Sequence, residues 1–452
     1  MSLCTAYYVN LLEAGSLRWT DNCLVVIDEV HHCMKDHPFH HLIQLCRHSQ
    51  LQVRRRPRLL GLTASPAGRD TATATALLLQ ELMCNLGVER LVTVERSMDE
   101  LARYHSTATL DIRLISYSST EQQLGSELRR YLLRCYLQLS QLSDSWSLRQ
   151  LGTISSVSPD NVEDLASHLD SEVLQCLGDV VDMVEPRDPS DKLVVSFLST
   201  HVKVLCQAVE SLNSLGLESA YNELAILLKA DYIGSFVHAQ EAGLPCAELE
   251  SLVCGYVKAE NKDQYTEMQV DSDDIESTKS SATYIQLVHE LETWWDCCND
   301  GKQMALVLVR KRRTARLLCE LLTSSPSLQK RDMSIVFIAG HGSGGCDAGM
   351  TVQQQARTLQ DIQRGKHNVI VATAVAEEGV DLPECDLVMQ LDAPDCVRAL
   401  VQVRGRARKA ASRFIAFCRD ETHKSQLNAL LLHERNMIDA VTQLVNTHST
   451  LH

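Results

Sequence analysis

The sequence predicts an α/β protein with two parallel sheets that are separated by a mostly helical block. Short β-branched strands alternate with helices at both ends of the chain, and apolar residues of the middle part recur at helical spacing. The chain has 452 residues, which is enough for two or three domains of roughly 100–200 residues each. Its 45% apolar and 22% charged residues exclude a wholly disordered or collagen-like chain.

The formal net charge of −15 lies in the middle of the chain. Residues 1–115 contain 12 basic and 12 acidic residues, residues 116–300 contain 11 and 31, and residues 301–452 contain 20 and 15. The net charges of the three blocks are therefore 0, −20 and +5. The acidic block is a poor phosphate-binding surface and suits solvent or a protein partner, whereas the basic third block is where we expect nucleic acid.

The first block reads as strand and helix in alternation. Leu24–Ile27 is an apolar, β-branched run that is typical of a strand buried on both faces, and residues 59–63 form a second such run. We expect a helix over residues 73–86 and a third strand at residues 91–94. This alternation favours a parallel sheet.

The middle block is predicted to be helical and the third block to return to a parallel sheet. We expect helices over residues 128–139, 194–212, 221–229, 284–295, 314–322 and 351–364, with polar stretches at 140–170 and 258–281. We expect strands over residues 305–309, 334–339, 368–372, 387–391 and 414–417. The predicted domains are residues 1–115, 116–300 and 301–420, followed by a helical tail over residues 421–452.

Cysteine usage and hydropathy indicate the cellular compartment in which we expect the protein. The 17 cysteines include no CxxC pair, so we expect free thiols in a reducing compartment. No apolar run approaches the ~18 residues of a membrane span, and the first residues do not resemble a signal peptide. The sequence therefore predicts a cytoplasmic or nuclear protein without a membrane partner.

Two adjacent acids end the first predicted strand. Asp28 and Glu29 follow the apolar run, at the edge where α/β sheets bind ligands, and His31 comes two residues later. An aspartate there can hold Mg²⁺ beside nucleotide phosphates, and a neighbouring glutamate can polarise the attacking water. An exposed acidic turn is the alternative for this short segment taken alone.

Polar residues also follow later predicted strands and helices. Thr63 and Ser65 follow the second strand, Thr373 follows a strand of the third block, and Gly379 and Asp381 come shortly afterwards. Residues 402–408 read Gln-Val-Arg-Gly-Arg-Ala-Arg and are predicted to open a helix, from which Arg406 and Arg408 can reach a γ-phosphate.

This ordered set resembles the DExH, TAS, ATxxxEEGxD and QxxGRxR motifs of superfamily 2 helicases. Residues 37–39 read His-Pro-Phe, as in Dicer and the RIG-I-like receptors, and residues 309–315, 340–342, 374–383 and 401–409 are close to Dicer segments. A helical insertion also marks Dicer, the RIG-I-like receptors and the archaeal Hef group. The chain is therefore most similar to a Dicer-like helicase module, next to a RIG-I-like receptor, and then to a Hef-type DNA translocase.

The resemblance implies two RecA-like domains that bind ATP and Mg²⁺ between them and move along double-stranded RNA. The implied catalytic residues are Asp28, Glu29, His31, Gln402, Arg406 and Arg408. The implied nucleotide-binding residues are Asp28, which also holds Mg²⁺, Glu29, Gly379, Asp381, Arg406 and Arg408. The implied RNA-binding residues are Thr5, Thr63, Ser65, His341 and Thr373.

The sequence departs from the family in one respect that matters for catalysis. The phosphate-binding loop GxxxxGK[ST] does not occur in the 452 residues. The resemblance then implies that about half of the first RecA-like domain lies outside the chain, as do the PAZ and ribonuclease III domains of Dicer. We therefore expect residues 1–452 to show no measurable ATP turnover. A non-enzymatic RNA-binding or scaffold remnant and a RIG-I-like sensor of double-stranded RNA stay open as alternatives.

Two smaller clusters admit more than one interpretation. Cys33, His37 and His41 would share one face of a continuous helix and suggest zinc, but Pro38 argues against such a helix. The basic residues at the start of the helix after residue 309 suit either RNA phosphates or a solvated helix end; they are Lys311, Arg312, Arg313 and Arg316.

Overall fold

The computed structural model describes residues 5–34, 37–48, 57–66, 69, 71–88, 90–93, 108–115, 117–143, 169, 173–174, 177–178, 181, 184–224, 227, 281–297, 303–340, 350–373, 380–392, 394, 396–409 and 411–449. The chain forms two compact units. The first unit combines residues 1–114, 300–312 and 334–452, and the second combines residues 115–299 and 313–333. His341, Gly379 and most of the two predicted polar stretches lie outside the described residues.

The helices and strands confirm the predicted alternation. In chain order they are α1 (Thr5–Glu13), β1 (Leu24–Ile27), α2 (Pro38–His48), β2 (Arg58–Gly61), α3 (Ala72–Leu86), β3 (Thr109–Leu114), α4 (Ser119–Leu142), α5 (Lys192–Leu215), α6 (Leu217–Leu224), α7 (Ala282–Cys297), β4 (Ala305–Leu308), α8 (Arg312–Ser324), α9 (Pro326–Lys330), β5 (Ile335–Ile338), α10 (Val352–Gln363), β6 (Val369–Ala372), β7 (Leu387–Gln390), α11 (Val397–Arg404), β8 (Arg413–Cys418) and α12 (Glu421–Ser449). Residues 91–93, expected to begin a third strand, are not in a strand.

The amino-terminal lobe of the first unit, residues 5–93, is built on strands β1 and β2. The two strands are parallel, with Leu24 opposite Arg58 and Ile27 opposite Gly61. Ile27 is buried in a core that β1 shares with α1, α2 and α3. The other face of this sheet is open, since Val26 and Leu60 are 50% and 46% exposed. The prediction that β1 is buried on both faces is therefore wrong, because the lobe covers only one of them.

The larger sheet of the first unit has six parallel strands in the order β3-β8-β7-β4-β6-β5. Every residue of β4, β6 and β7 is buried. Strands covered on both faces read as continuous apolar runs, which is why the sequence showed them clearly. The sheet directs the carboxyl ends of its strands, and the polar residues that follow them, to one edge.

Strand β3 joins this sheet although it precedes the helical insertion. Thr109 pairs with Arg413, and the pairing continues along β8 to Leu114 opposite Cys418. Residues 109–114 were assigned with the first predicted domain because they lie near it in the chain. Backbone hydrogen bonds, which carry no sequence signal, place them in the second sheet instead.

The second unit is helical, as predicted. Helix α4 begins with a reciprocal cap, in which the Ser118 side chain accepts the Glu121 N–H and Glu121 accepts the Ser118 N–H at 2.8 Å. Helices α4, α5 and α6 share one apolar core. Residues 189–215, which contain α5, are apolar and long enough to cross a membrane by length and composition. More than half of their most apolar stretch is buried inside the unit, and core helices of soluble proteins have the same character.

Helix α5 carries a fully buried histidine, which predicts a pH dependence of stability. His201 lies 3.0 Å from the Phe197 carbonyl oxygen, and burial lowers its pKa from 6.5 to about 4. Above pH 6.5 the His201 ring is largely neutral in both the folded and the unfolded chain. Below pH 6.5 the unfolded chain binds a proton that the folded chain does not, so the stability of the fold falls as the pH falls towards 4. Between about pH 7.5 and about pH 5.5 we expect a loss of about 1.4 kcal/mol. Urea unfolding of His201→Gln should lack this loss; an equal pH dependence in both proteins would contradict it.

Candidate functional site

The two acids after β1 begin the candidate site. Asp28 is exposed, and its Oδ1 accepts the Glu29 N–H at 3.0 Å. Glu29 has a left-handed backbone with φ of 49° and ψ of 45°. This conformation is unfavourable for a residue with a side chain, and such residues cluster at functional sites. Exposed and half-exposed carboxylates side by side are the oxygen ligands that Mg²⁺ prefers, so Asp28 fits a magnesium-binding role.

His31 connects the acids to the end of β2. Its Nδ1 lies 2.9 Å from Thr63 Oγ1 and 3.3 Å from Glu29 Oε2, and its side chain is 5% exposed. The Ser65 N–H donates to the same Thr63 hydroxyl at 3.3 Å. The structure thus brings together four of the predicted residues, as expected for neighbouring ends of parallel strands.

Backbone bonds beyond the two strands hold this arrangement. The Leu62 N–H donates to the Ile27 carbonyl, and the Val30 N–H donates to the Leu62 carbonyl, each at 2.9 Å. Ser65 is 5% exposed, and its hydroxyl donates to Met437 Sδ of α12 at 3.4 Å. The Ser65 side chain, which the sequence predicts to contact RNA, therefore contacts helix α12 in this structure.

The arginine motif is arranged differently from the prediction. Helix α11 contains Gln402 but ends at Arg404, and the Gly405 N–H closes it by donating to the Val401 carbonyl at 2.8 Å. Arg406 and Arg408 lie in the turn after the helix, so the prediction that the motif opens a helix is wrong. Gly405 caps the helix in a right-handed conformation, with φ of −66° and ψ of −7°, and cations are stabilised beside a helix carboxyl end.

Asp381 and the two motif arginines share one electrostatic neighbourhood. Burial lowers the pKa of Arg406 and nearby Arg408 lowers it further, whereas Cys385 and Asp381 act in the opposite direction. Arg408 is exposed, and its Nε donates to the Gly405 carbonyl at 2.7 Å. Two guanidinium groups and one carboxylate in such a neighbourhood have the chemistry to bind a phosphate and a sugar hydroxyl.

The other predicted RNA-binding residues are separate. Thr373 follows β6 and is 5% exposed, and its N–H donates to the Ile338 carbonyl at 3.4 Å, so it lies at the carboxyl edge of the sheet. Thr5 opens α1, and only its backbone is described. His341 and Gly379 lie outside the described residues.

The structure changes the interpretation of two clusters. Arg313 is bound within the second unit by Glu223, whose Oε1 accepts its Nε–H at 2.8 Å and whose Oε2 accepts a second bond. It is therefore neither a phosphate contact nor a solvated helix end. Helix α2 begins at Pro38, so Cys33 and His37 precede it and do not share a helix face with His41.

Sequence reasoning missed two residues next to the candidate site. Arg404 at the end of α11 forms a paired contact with Glu434 of α12, with one N–O distance of 3.0 Å. The signal available in the sequence was weak, because Arg404 occupies an unspecified position of QxxGRxR and Glu434 lies in an unremarkable helical tail.

Known proteins are similar to this chain in sequence and in fold. Residues 283–411 match the family model described as Helicase conserved C-terminal domain. The Pyrococcus furiosus Hef helicase domain has a similar fold, with a TM-score of 0.54, 20% identity, and coverage of 93% of this chain and 77% of the Hef chain. Its parallel-sheet architecture supports the predicted α/β fold with RecA-like domains.

The curated relatives are Dicer-like proteins. Dicer-like protein 1 of Neurospora crassa is 27% identical over 431 residues, and Dicer-like protein 2-2 of Aspergillus niger is 26% identical over 452 residues; they cover 91% and 96% of this chain. The Protein Dicer of Schizosaccharomyces pombe is 36% identical over 150 residues, which are 32% of this chain and 10% of that protein. The chain spans only 22% and 28% of the first two relatives. The chain is therefore similar to Dicer-like proteins over most of its length, and residues 283–411 match a helicase carboxyl-terminal domain.

Proposed function

We propose that this module couples ATP hydrolysis to movement along, or remodelling of, double-stranded RNA in RNA silencing and processing, as part of a longer protein. The observation that carries the proposal is the contact between His31 and Thr63, because it joins the acidic segment, residues 28–31, to the TAS segment, residues 63–65. Such a contact can transmit a change at the hydrolysis site to residues that meet nucleic acid. The similarity to Dicer-like proteins supports RNA as the substrate.

In this proposal each residue of the acidic segment has one task. Asp28 holds Mg²⁺, which would neutralise charge on the transferred phosphate. Glu29 orients and polarises the attacking water, and His31 holds the Glu29 carboxylate at 3.3 Å. The left-handed backbone of Glu29, with φ of 49°, is a strained conformation of the kind that clusters at active sites.

The turn that carries Arg406 and Arg408 supplies positive charge. Arg406 and Arg408 would stabilise the phosphate oxygens, Gln402 would orient them, and Asp381 would accept a bond from a ribose hydroxyl. Partial burial of Arg406 weakens competing hydration, which strengthens its attraction for a phosphate. Gly379 would allow the backbone to approach the nucleotide closely.

RNA recognition is proposed to be independent of sequence. Thr5, Thr63, His341 and Thr373 would contact the sugar-phosphate backbone, which positions a duplex without reading bases. A-form duplexes are then distinguished from DNA by shape and 2′-hydroxyl groups. The acidic second unit would face protein partners, since its charge repels phosphates.

Replacement of Thr373 by alanine tests the RNA assignment. We expect residues 1–452 to bind a blunt RNA duplex, and Thr373→Ala to weaken that binding about tenfold for every duplex sequence, as loss of one phosphate contact should. Fluorescence anisotropy at several salt concentrations measures it. Thr323→Ala is the matched control, because that hydroxyl bonds to Cys319 of its own helix. Equal affinity for RNA and DNA duplexes would refute the RNA proposal.

ATP turnover tests the catalytic assignment. Because GxxxxGK[ST] does not occur in the 452 residues, purified residues 1–452 should show no steady phosphate release with or without RNA. Turnover that disappears in Glu29→Gln would contradict this expectation while supporting the role of Glu29.

The missing phosphate-binding loop also favours a second candidate, a non-enzymatic RNA-binding or scaffold protein. That function predicts RNA affinity without ATP turnover even when the full-length protein is assayed. Turnover by the full-length protein that depends on Glu29 excludes it.

A further inference from the structure

Helix α12 presents one face to several parts of the first unit. Glu434, Met437, Ala440 and Leu444 recur at helical spacing and are all less than 9% exposed. Ala440 and Leu444 pack with Leu79 of α3. This apolar contact fixes the end of α12 on the amino-terminal lobe.

Two polar contacts lie one helical turn closer to the start of α12. Met437 Sδ accepts the Ser65 hydroxyl at 3.4 Å, and Glu434 binds the Arg404 guanidinium. Nearby, the Asn436 side-chain amide donates to the Arg69 carbonyl at 3.5 Å. The helix therefore touches the TAS segment and the end of α11 within one turn.

These two contacts are coupled through the geometry of α12. The Glu434 side chain is 9% exposed and the Arg404 side chain 23% exposed, so the ion pair is largely removed from water. Separating it would leave a buried charge without compensation, which is strongly unfavourable. Because residues 434 and 437 belong to one rigid turn, displacement of α11 must move Met437 relative to Ser65.

We infer that Glu434 and Met437 are positioning residues that couple the position of the TAS segment to the position of the carboxyl end of α11, which precedes Arg406 and Arg408. Resting on the proposed function, this assigns to α12 the task of transmitting phosphate contacts at Arg406 and Arg408 to Ser65. Neither residue touches nucleotide in this scheme. Arg404 serves as the attachment point of α11, which explains an arginine at a position where the motif requires none.

Hydrogen exchange of the full chain without nucleotide or RNA tests this inference. Glu434→Gln keeps the side-chain shape but removes the charge. We expect about tenfold faster amide exchange in Val397–Arg404 and also in residues 63–66, which Glu434 does not contact. Met437→Ala should accelerate both segments as well, because coupling between two sites is reciprocal. Unchanged exchange in Ala72–Leu86 shows that α12 remains docked on α3.

A charge-reversed pair and a control make the test decisive. Arg404→Glu combined with Glu434→Arg should restore slow exchange in both segments, which a purely local packing role would not do. Lys424→Gln alters an exposed pair with Glu421, 3.3 Å apart on the same helix, and should change neither segment. Acceleration confined to the segment that each altered residue touches overturns the inference.

Duplex RNA affinity measured on the same preparations separates this inference from the proposed function. Coupled exchange in a chain that fails to bind RNA refutes the proposed function and leaves the positioning role intact. RNA binding by a chain in which exchange effects stay local refutes the positioning role and leaves the proposed function intact.

Discussion

Replacing Arg313 by methionine should lower the free energy of unfolding of the second unit by about 3–5 kcal/mol. The Glu223 side chain is 4% exposed and receives two N–H groups from Arg313, whose own side chain is 20% exposed. Methionine fills a similar volume but leaves the carboxylate buried without its cation. Urea unfolding followed by far-ultraviolet circular dichroism measures the change.

Two further variants show that the effect comes from a buried charge. Arg331→Met removes a guanidinium from Asp296 and Glu292, whose side chains are 56% and 23% exposed, and the unfolding transition should move much less because more exposed pairs contribute little. Arg313→Met combined with Glu223→Leu removes both charges and should recover most of the lost stability. If Arg313→Met were as mild as Arg331→Met, the ion pair would not stabilise the unit.

This ion pair illustrates what sequence patterns cannot predict. Arg313 stands in a basic cluster near a helix start, and its partner lies 90 residues earlier in the chain. Charge patterning describes local neighbours, so it offered only phosphates or solvent as alternatives. The pairing of β3 with β8 escaped prediction for the same reason, because the order of strands in a sheet is decided by distant backbone contacts.

Features with local causes were predicted well. The apolar runs of β4, β6 and β7 require burial on both faces, and the proximity of His31 and Thr63 follows from two parallel strands that end at one edge. The motif predicts Arg406 on a helix, whereas α11 ends at Arg404 and Arg406 lies in the turn that follows Gly405.

Gly61→Ala is expected to destabilise the amino-terminal lobe by about 2–3 kcal/mol. A Cβ built on Gly61 would lie 2.9 Å from both methyl carbons of Val30. Val30 is 3% exposed and its side chain is short, so it has little room to yield. Its backbone is bonded to Leu62, and the next residue is His31, so displacement of Val30 also disturbs the contact between His31 and Thr63.

A double-mutant cycle distinguishes this clash from a general sensitivity of the strand. Val30→Ala removes the two methyl groups that the new Cβ would meet, so Gly61→Ala should be nearly neutral in that background. Gly178→Ala is the matched control, because nothing lies within 4 Å of a Cβ built there. Equal losses from Gly61→Ala with valine or alanine at position 30 would contradict the steric explanation. Recovery in the double variant would show that the close packing of Val30 on Gly61, which no helicase motif specifies, is what keeps position 61 a glycine beside the histidine that joins the acidic and TAS segments.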